Sequence, residues 1–175
     1  SVELLNYYGF NSDILPDKVP SFSVQGHILK NITSELELPV GIPVSYRAGD
    51  QPNNALSLNV LEPDEVAATA GTSGVIYGVT GETKFDPKSR VNTFLHVNHS
   101  NKLQRLGVLL CINGTGILNS WLKHNTGTNL DYDEMNNLAG QINPGSEGLA
   151  VLPFGNGSER MLGNRNIGAR ISGLN

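Results

Sequence analysis

The chain has 175 residues, 38% of them hydrophobic and 16% charged, with a formal net charge of −4. That length can bury a core without a disulfide or metal staple. The acidic balance argues against nucleic acid as a partner, and the single cysteine excludes a disulfide framework and a multi-cysteine zinc site. No apolar run approaches the ~20 residues of a membrane span, and the opening residues lack a basic-then-apolar leader pattern. The expectation is a cytoplasmic protein with no membrane partner.

Residues 2–10 read as a short amphipathic helix ending at Gly9, in the glycine position that closes a helix. Leu15-Pro16 and Val19-Pro20 impose extended chain, because proline disfavours helix in the residue before it. Asn31 or Thr33 is placed to cap a helix through Leu36 and Leu38. A strand over 43–46 runs into Ala48-Gly49-Asp50-Gln51, and Pro52 suits the start of a helix over 52–60. From Val66 to Val79, two stretches of small or β-branched residues flank Gly71-Thr72-Ser73-Gly74, which predicts a hairpin. Strands are expected over 92–97 and 105–112, helices over 116–124 and 131–142, a buried strand over 149–154, and loop from Gly155 onward. The order is mixed α and β, with a boundary at Glu62-Pro63-Asp64 dividing 1–63 from 64–175. The chain opens on Ser1 without Met and stops at Gly173-Leu174-Asn175. It therefore reads as the central segment of a longer protein. Its uncovered apolar surface would pair with the remainder of that chain or with a second copy in a homodimer.

Four places could carry chemistry. Asp50, at a strand end before a helix, can take a proton from a substrate hydroxyl or simply cap the helix beginning at Pro52. The Gly71-Thr72-Ser73-Gly74 bend can bring backbone and hydroxyls close to a phosphate, or be an ordinary hairpin turn. Asn113-Gly114-Thr115-Gly116 precedes a helix whose N-terminus suits an anion. Gly157-Ser158-Glu159-Arg160 reads as a structural ion pair or cap. No G-x-x-x-x-G-K-[ST] loop occurs. His96 and His99 are close in sequence, but on a strand their rings would lie on opposite faces, a poor metal geometry. Cys111 lies in an apolar run and reads as core.

In order and spacing these segments resemble the FGGY carbohydrate kinases. The resemblance runs through Leu15-Pro16 to Val24-Gln25-Gly26, Gly41-Ile42-Pro43-Val44, Ala48-Gly49-Asp50-Gln51 and Gly71-Thr72-Ser73-Gly74. It continues through Gly148-Leu149 to Leu152-Pro153-Phe154 and Gly157-Ser158-Glu159-Arg160. It covers nearly the whole chain and is nearest to the xylulose kinases. The resemblance implies an incomplete ribonuclease-H-like, actin-like ATPase fold. Residues 1–63 would end the sugar-binding domain and 64–175 begin the nucleotide-binding domain. It also implies a sugar or polyol substrate such as D-xylulose, phosphorylated by ATP with Mg2+, and no metal ligand in this segment. By the same resemblance Asp50 is the catalytic base, and Asp50 and Gln51 contact the sugar. Gly71, Thr72 and Ser73 form the phosphate loop of the second domain, and Gly116 and Ser120 line the nucleotide's phosphate and ribose side. The family's first phosphate segment, metal-associated acid and adenine-binding loop have no counterpart here, so the segment alone is expected to be inactive. The alternatives are a non-catalytic actin-like module that binds sugar or nucleotide, and an unrelated small α+β domain.

Overall fold

The computed structural model describes every residue except Thr128 and Asn175, and at Glu159 the backbone alone. Its contacts divide it into two units, Ser1–Ala48 and Gly49–Asn175. The first contains helix α1 (Val2–Tyr7), strand β1 (Gly26–His27), helix α2 (Lys30–Glu35) and strand β2 (Pro43–Val44). The Ser1 hydroxyl caps α1 by accepting from the Leu4 amide, and Gly9 beyond its end has φ 72°. Strands β1 and β2 pair antiparallel, Gly26 opposite Val44, and the Phe22 and Tyr46 rings stack at 5.0 Å. The cap expected at Asn31 or Thr33 does not form. Lys30 starts α2 behind Leu29, and Thr33 is buried inside the helix with its hydroxyl donating to the Lys30 carbonyl.

The second unit is built on a four-stranded antiparallel sheet in the order β3-β4-β6-β5. Its strands are β3 (Val66–Ala70), β4 (Gly74–Thr80), β5 (Asn92–Leu95) and β6 (Leu106–Ile112). The predicted hairpin is present: β3 and β4 pair from Val66–Gly78 to Ala70–Gly74, around the bend 71–73. Period-two alternation sends Val75, Tyr77 and Val79 inward and leaves Ile76 half exposed. Helix α3 (Asp50–Ser57) puts Ala55, wholly buried, into the same cluster with Ala67 and Leu109. Fully burying a Val- or Leu-sized side chain contributes roughly 1.5–3 kcal/mol, so this cluster is the main source of stability in the unit and explains why α3 travels with the sheet.

The rest of the unit comprises helices α4 (Thr115–Thr126) and α5 (Tyr132–Ala139) and an antiparallel pair, β7 (Ala150–Leu152) with β8 (Arg170–Ser172). A reciprocal capping box starts α5, with the Asp131 carboxylate on the Glu134 amide and the Glu134 carboxylate on the Asp131 amide. Two expectations need correction here. The strand over 149–154 is shorter and exposed, with only Phe154 buried, because it pairs with one partner at the margin of the unit. The partner, β8, lies in the tail read as loop, where the glycines and asparagines around 163–168 masked a three-residue strand.

His96 and His99 lie beyond β5, not on it. His96 is 2% exposed. Its Nε2 lies 3.1 Å from the Val60 carbonyl and its Nδ1 3.0 Å from the Tyr77 hydroxyl. The carbonyl can only accept, which assigns the proton to Nε2 and makes the Tyr77 hydroxyl the donor to Nδ1. Tyr77 reaches His96 by crossing β6 at Gly107, where any Cβ would stand 1.8 Å from its hydroxyl oxygen. Burial pushes the Tyr77 phenol up to about 12. Burial also lowers the His96 pKa from its ordinary 6.5, outweighing the Val60 bond that raises it, and the Arg105 charge adds to the lowering.

The unfolded chain therefore binds a proton at His96 before the folded chain does. The stability this histidine contributes is present above pH 6.5 and is lost as pH falls from there toward the depressed value. Urea unfolding at pH 7.5 and 5.5 should show a lower midpoint at the acid pH. That difference should shrink in His96→Gln, and an equal shrinkage in His124→Gln but not His96→Gln would contradict the assignment.

Candidate active site

Asp50 is not the helix cap. Gly49, extended at ψ 162°, is the N-cap, and it has no side chain to bond the helix. The helix begins two residues before Pro52, which is tolerated because the first turn has no intrahelical use for its missing N–H. Asp50 thus occupies the first helical position, where the helix dipole favours a carboxylate. Its side chain is exposed, and among the described residues its one hydrogen-bond donor is the adjacent Gln51 amide, at 2.8 Å to Oδ1. Asp50 and Gln51 line a concavity of about 210 Å³ together with Pro52, Phe94 and Leu95.

A second set of expected residues converges elsewhere in the same unit. The Gly116 amide, in the first turn of α4, donates to the Gly71 carbonyl at 3.0 Å and the Thr72 carbonyl at 3.2 Å. The Ser73 hydroxyl donates to Asn113 Oδ1 at 3.3 Å. The hairpin bend is therefore docked on the start of α4, so closely that a Cβ at Gly116 would lie 2.3 Å from the Gly71 oxygen. Gly71 and Thr72 remain exposed. Among the described residues no backbone carbonyl of a turn or loop accepts from the Thr72 or Ser73 amide. Those amides and the Thr72 hydroxyl can serve an anion, whereas the Gly116 amide is already occupied in closing the bend.

Ser120 is one turn beyond Gly116 on the same face of α4, and its carbonyl accepts from His124 Nδ1 at 2.7 Å. A different face of α4, with Ile117, Leu118 and Trp121, lines an apolar concavity of about 410 Å³ against Asn156, Ala169 and Ile171. The structure thus brings Gly71, Thr72, Ser73 and Gly116 into one constellation, and it sets Asp50 and Gln51 in a separate concavity.

The remaining candidates are structural. Arg160 donates to Asn92 Oδ1, and the Glu159 side chain, expected in an ion pair or cap, lies outside the described residues. Cys111 packs against the core cluster. Among the described residues no three His, Cys, Asp or Glu side chains gather to hold a metal, and no helix is long and apolar enough to cross a membrane.

Sequence reasoning missed the Tyr77–His96 pair. The available signal was a tyrosine at an inward strand position, which needs a partner for its hydroxyl when buried.

No family model matches the chain. Curated relatives do. It is 28% identical over 164 residues to a xylulose kinase of Staphylococcus epidermidis, covering 93% of this chain and 32% of that protein. It is 26% identical over 182 residues to a gluconokinase of Bacillus subtilis, covering 98% and 34%. The structure superposes on a ligand-bound xylulose kinase from Lactobacillus acidophilus with a TM-score of 0.85 and 20% identity, over 100% of this chain and 35% of that one. The chain is therefore related to the FGGY-type sugar kinases along nearly its whole length, as its motifs imply, with a mixed α/β fold that matches part of their actin-like architecture. It spans about a third of the length of the curated relatives it matches.

Proposed function

We propose that the full-length chain is an ATP-dependent sugar kinase that phosphorylates a pentulose, D-xylulose, with Asp50 as general base. The observation that carries this reading is the state of Asp50: a carboxylate at the head of a packed helix, exposed beside a concavity and, among the described residues, bonded only to its neighbour's amide. Structural carboxylates in this fold are engaged differently. Asp86, for example, accepts from the Arg90 guanidinium and backbone, which hold it far below the usual carboxylate range.

In this mechanism an Asp50 oxygen takes the proton of the sugar hydroxyl as the hydroxyl oxygen attacks the γ-phosphorus, and the bond to ADP breaks. Phosphoryl transfer depends mainly on positioning and charge stabilisation. The free Thr72 and Ser73 amides and the Thr72 hydroxyl donate to phosphate oxygens, Gly71 permits the close approach, and Gly116 holds the bend. Gln51 contacts the sugar, and Ser120 faces the ribose side. Mg2+ bound with ATP would neutralise phosphate charge, and no residue of this segment is assigned to it. Residues 1–63 end the sugar-binding domain and 64–175 begin the nucleotide-binding domain, in a cytoplasmic enzyme.

The test is ADP release by the full-length chain over a panel containing D-xylulose, D-gluconate and glycerol. D-xylulose should give the highest kcat/KM. A preference for gluconate would reassign the acceptor, and no turnover above the acceptor-free rate would leave a non-catalytic binding module instead.

A further inference from the structure

The connection from α3 to β3 is held more firmly than a loop requires. Helix α3 ends in a Schellman arrangement. Asn59 is left-handed at φ 57°, its amide donates to the Leu56 carbonyl, and the Val60 amide donates to the Ala55 carbonyl at 2.9 Å. Val60 also packs on the cluster that contains Ala55. The next three residues are gripped by side chains from outside the connection: Val60 O by His96 Nε2, Leu61 O by Asn98 Nδ2 at 3.1 Å, and the Glu62 carboxylate by Arg105. Glu65 folds back to accept from the Leu61 and Glu62 amides. Of these groups His96 is the most buried, and its orientation is fixed from behind by the Tyr77 hydroxyl.

We infer that His96 is a positioning residue for Asp50: by holding the Val60 carbonyl it fixes the end of α3, and with it the helix whose first residue carries the base. The inference rests on the assignment of Asp50 as base. Helix α3 is stiff and short, about 12 Å at 1.5 Å per residue. The wholly buried Ala55 lies midway between Asp50 and Val60 and acts as its pivot. A shift at Val60 therefore reaches Asp50 at about the same size, and a misplacement of about 1 Å can cost 10²-fold in rate. Asn98 and Arg105 keep the connection folded when His96 is removed, so the effect falls on alignment.

The experiment measures kcat, the KM of ATP and of the preferred acceptor, and the melting temperature in the full-length chain. The proteins are wild type, His96→Leu, His96→Gln, Tyr77→Phe and Asp50→Asn. His96→Leu should lower kcat about 10-fold with both KM values within about twofold. His96→Gln should recover most of the loss, because its amide places an N–H where Nε2 stood. Tyr77→Phe should lower kcat in the same direction by a smaller factor, and it decides the matter if His96→Leu does not fold. Unchanged kcat in His96→Leu with a lowered melting temperature overturns the inference, as does a loss that appears in KM or that glutamine does not recover. If Asp50→Asn abolishes turnover while the His96 and Tyr77 variants keep theirs, the inference alone falls. If Asp50→Asn keeps wild-type turnover, the base assignment falls with it.

Discussion

Asp50→Asn in the full-length chain should reduce sugar phosphorylation by about 10²–10⁴-fold, the range in which a positioned general base contributes. The amide cannot accept the hydroxyl proton, yet it keeps the size of the carboxylate and an oxygen for the Gln51 amide. The side chain is exposed and supports no part of the core, so folding should be little affected beyond the lost charge at the helix N-terminus. Calorimetry should find sugar and nucleotide affinities within a few fold of wild type while coupled ADP release collapses. Retention of more than a tenth of the wild-type rate would show that another group, or water, removes the proton. A matching loss of sugar affinity would make Asp50 a binding residue first.

Gly116→Ala should damage both the fold and the kinetics at the proposed phosphate site. Its Cβ would stand 2.3 Å from the Gly71 oxygen, 2.9 Å from the Gly71 carbonyl carbon and 3.2 Å from the Thr72 Cα. All three are backbone atoms, so no side chain can rotate away, and the bend must leave α4. That breaks the two carbonyl contacts to the Gly116 amide and costs about 1–3 kcal/mol, as overpacking does elsewhere. It also moves the Thr72 and Ser73 amides off the phosphate, where one displaced donor is worth about 10²–10³-fold in kcat. We expect a lower melting temperature together with a fall in kcat/KM for ATP of at least 10². An alanine variant with unchanged ATP kinetics would remove the 71–73 bend from the nucleotide site.

Much of the sheet could be read from the chain because its signals are local. The inward Val75, Tyr77 and Val79 alternate with period two around a glycine-bounded bend, and Asp131 and Glu134 spell a capping box. What escaped reading depends on partners distant in sequence. The start of α3 slipped by two residues because Pro52 is admissible anywhere in a first turn. Strand β8 was hidden because its pairing with β7 spans the Gly- and Asn-rich residues between them. The clamp on Val60 joins residues 36 apart, and no periodicity announces such a contact. In the site, the convergence of Gly71 with Gly116 was anticipated only through family resemblance. The need for glycine at 116 follows from the backbone-to-backbone contact itself, whereas a Cβ at Gly71 would meet only the Ser73 carbonyl oxygen at 3.8 Å.

The sheet order also dictates a timetable. Strand β5 is made before β6 but its register is set on β6 alone, Asn92 opposite Leu109 and Leu95 opposite Leu106. As the polypeptide leaves the ribosome, the first hairpin can close at once. The following strand, with Phe94 and Leu95, must then wait unpaired until its partners Leu106–Leu109 have emerged. During that interval it presents an apolar edge to the translation machinery's surroundings, and slowing synthesis while β5 is outside the ribosome and β6 still within it should favour capture by chaperones or misassembly over productive closure.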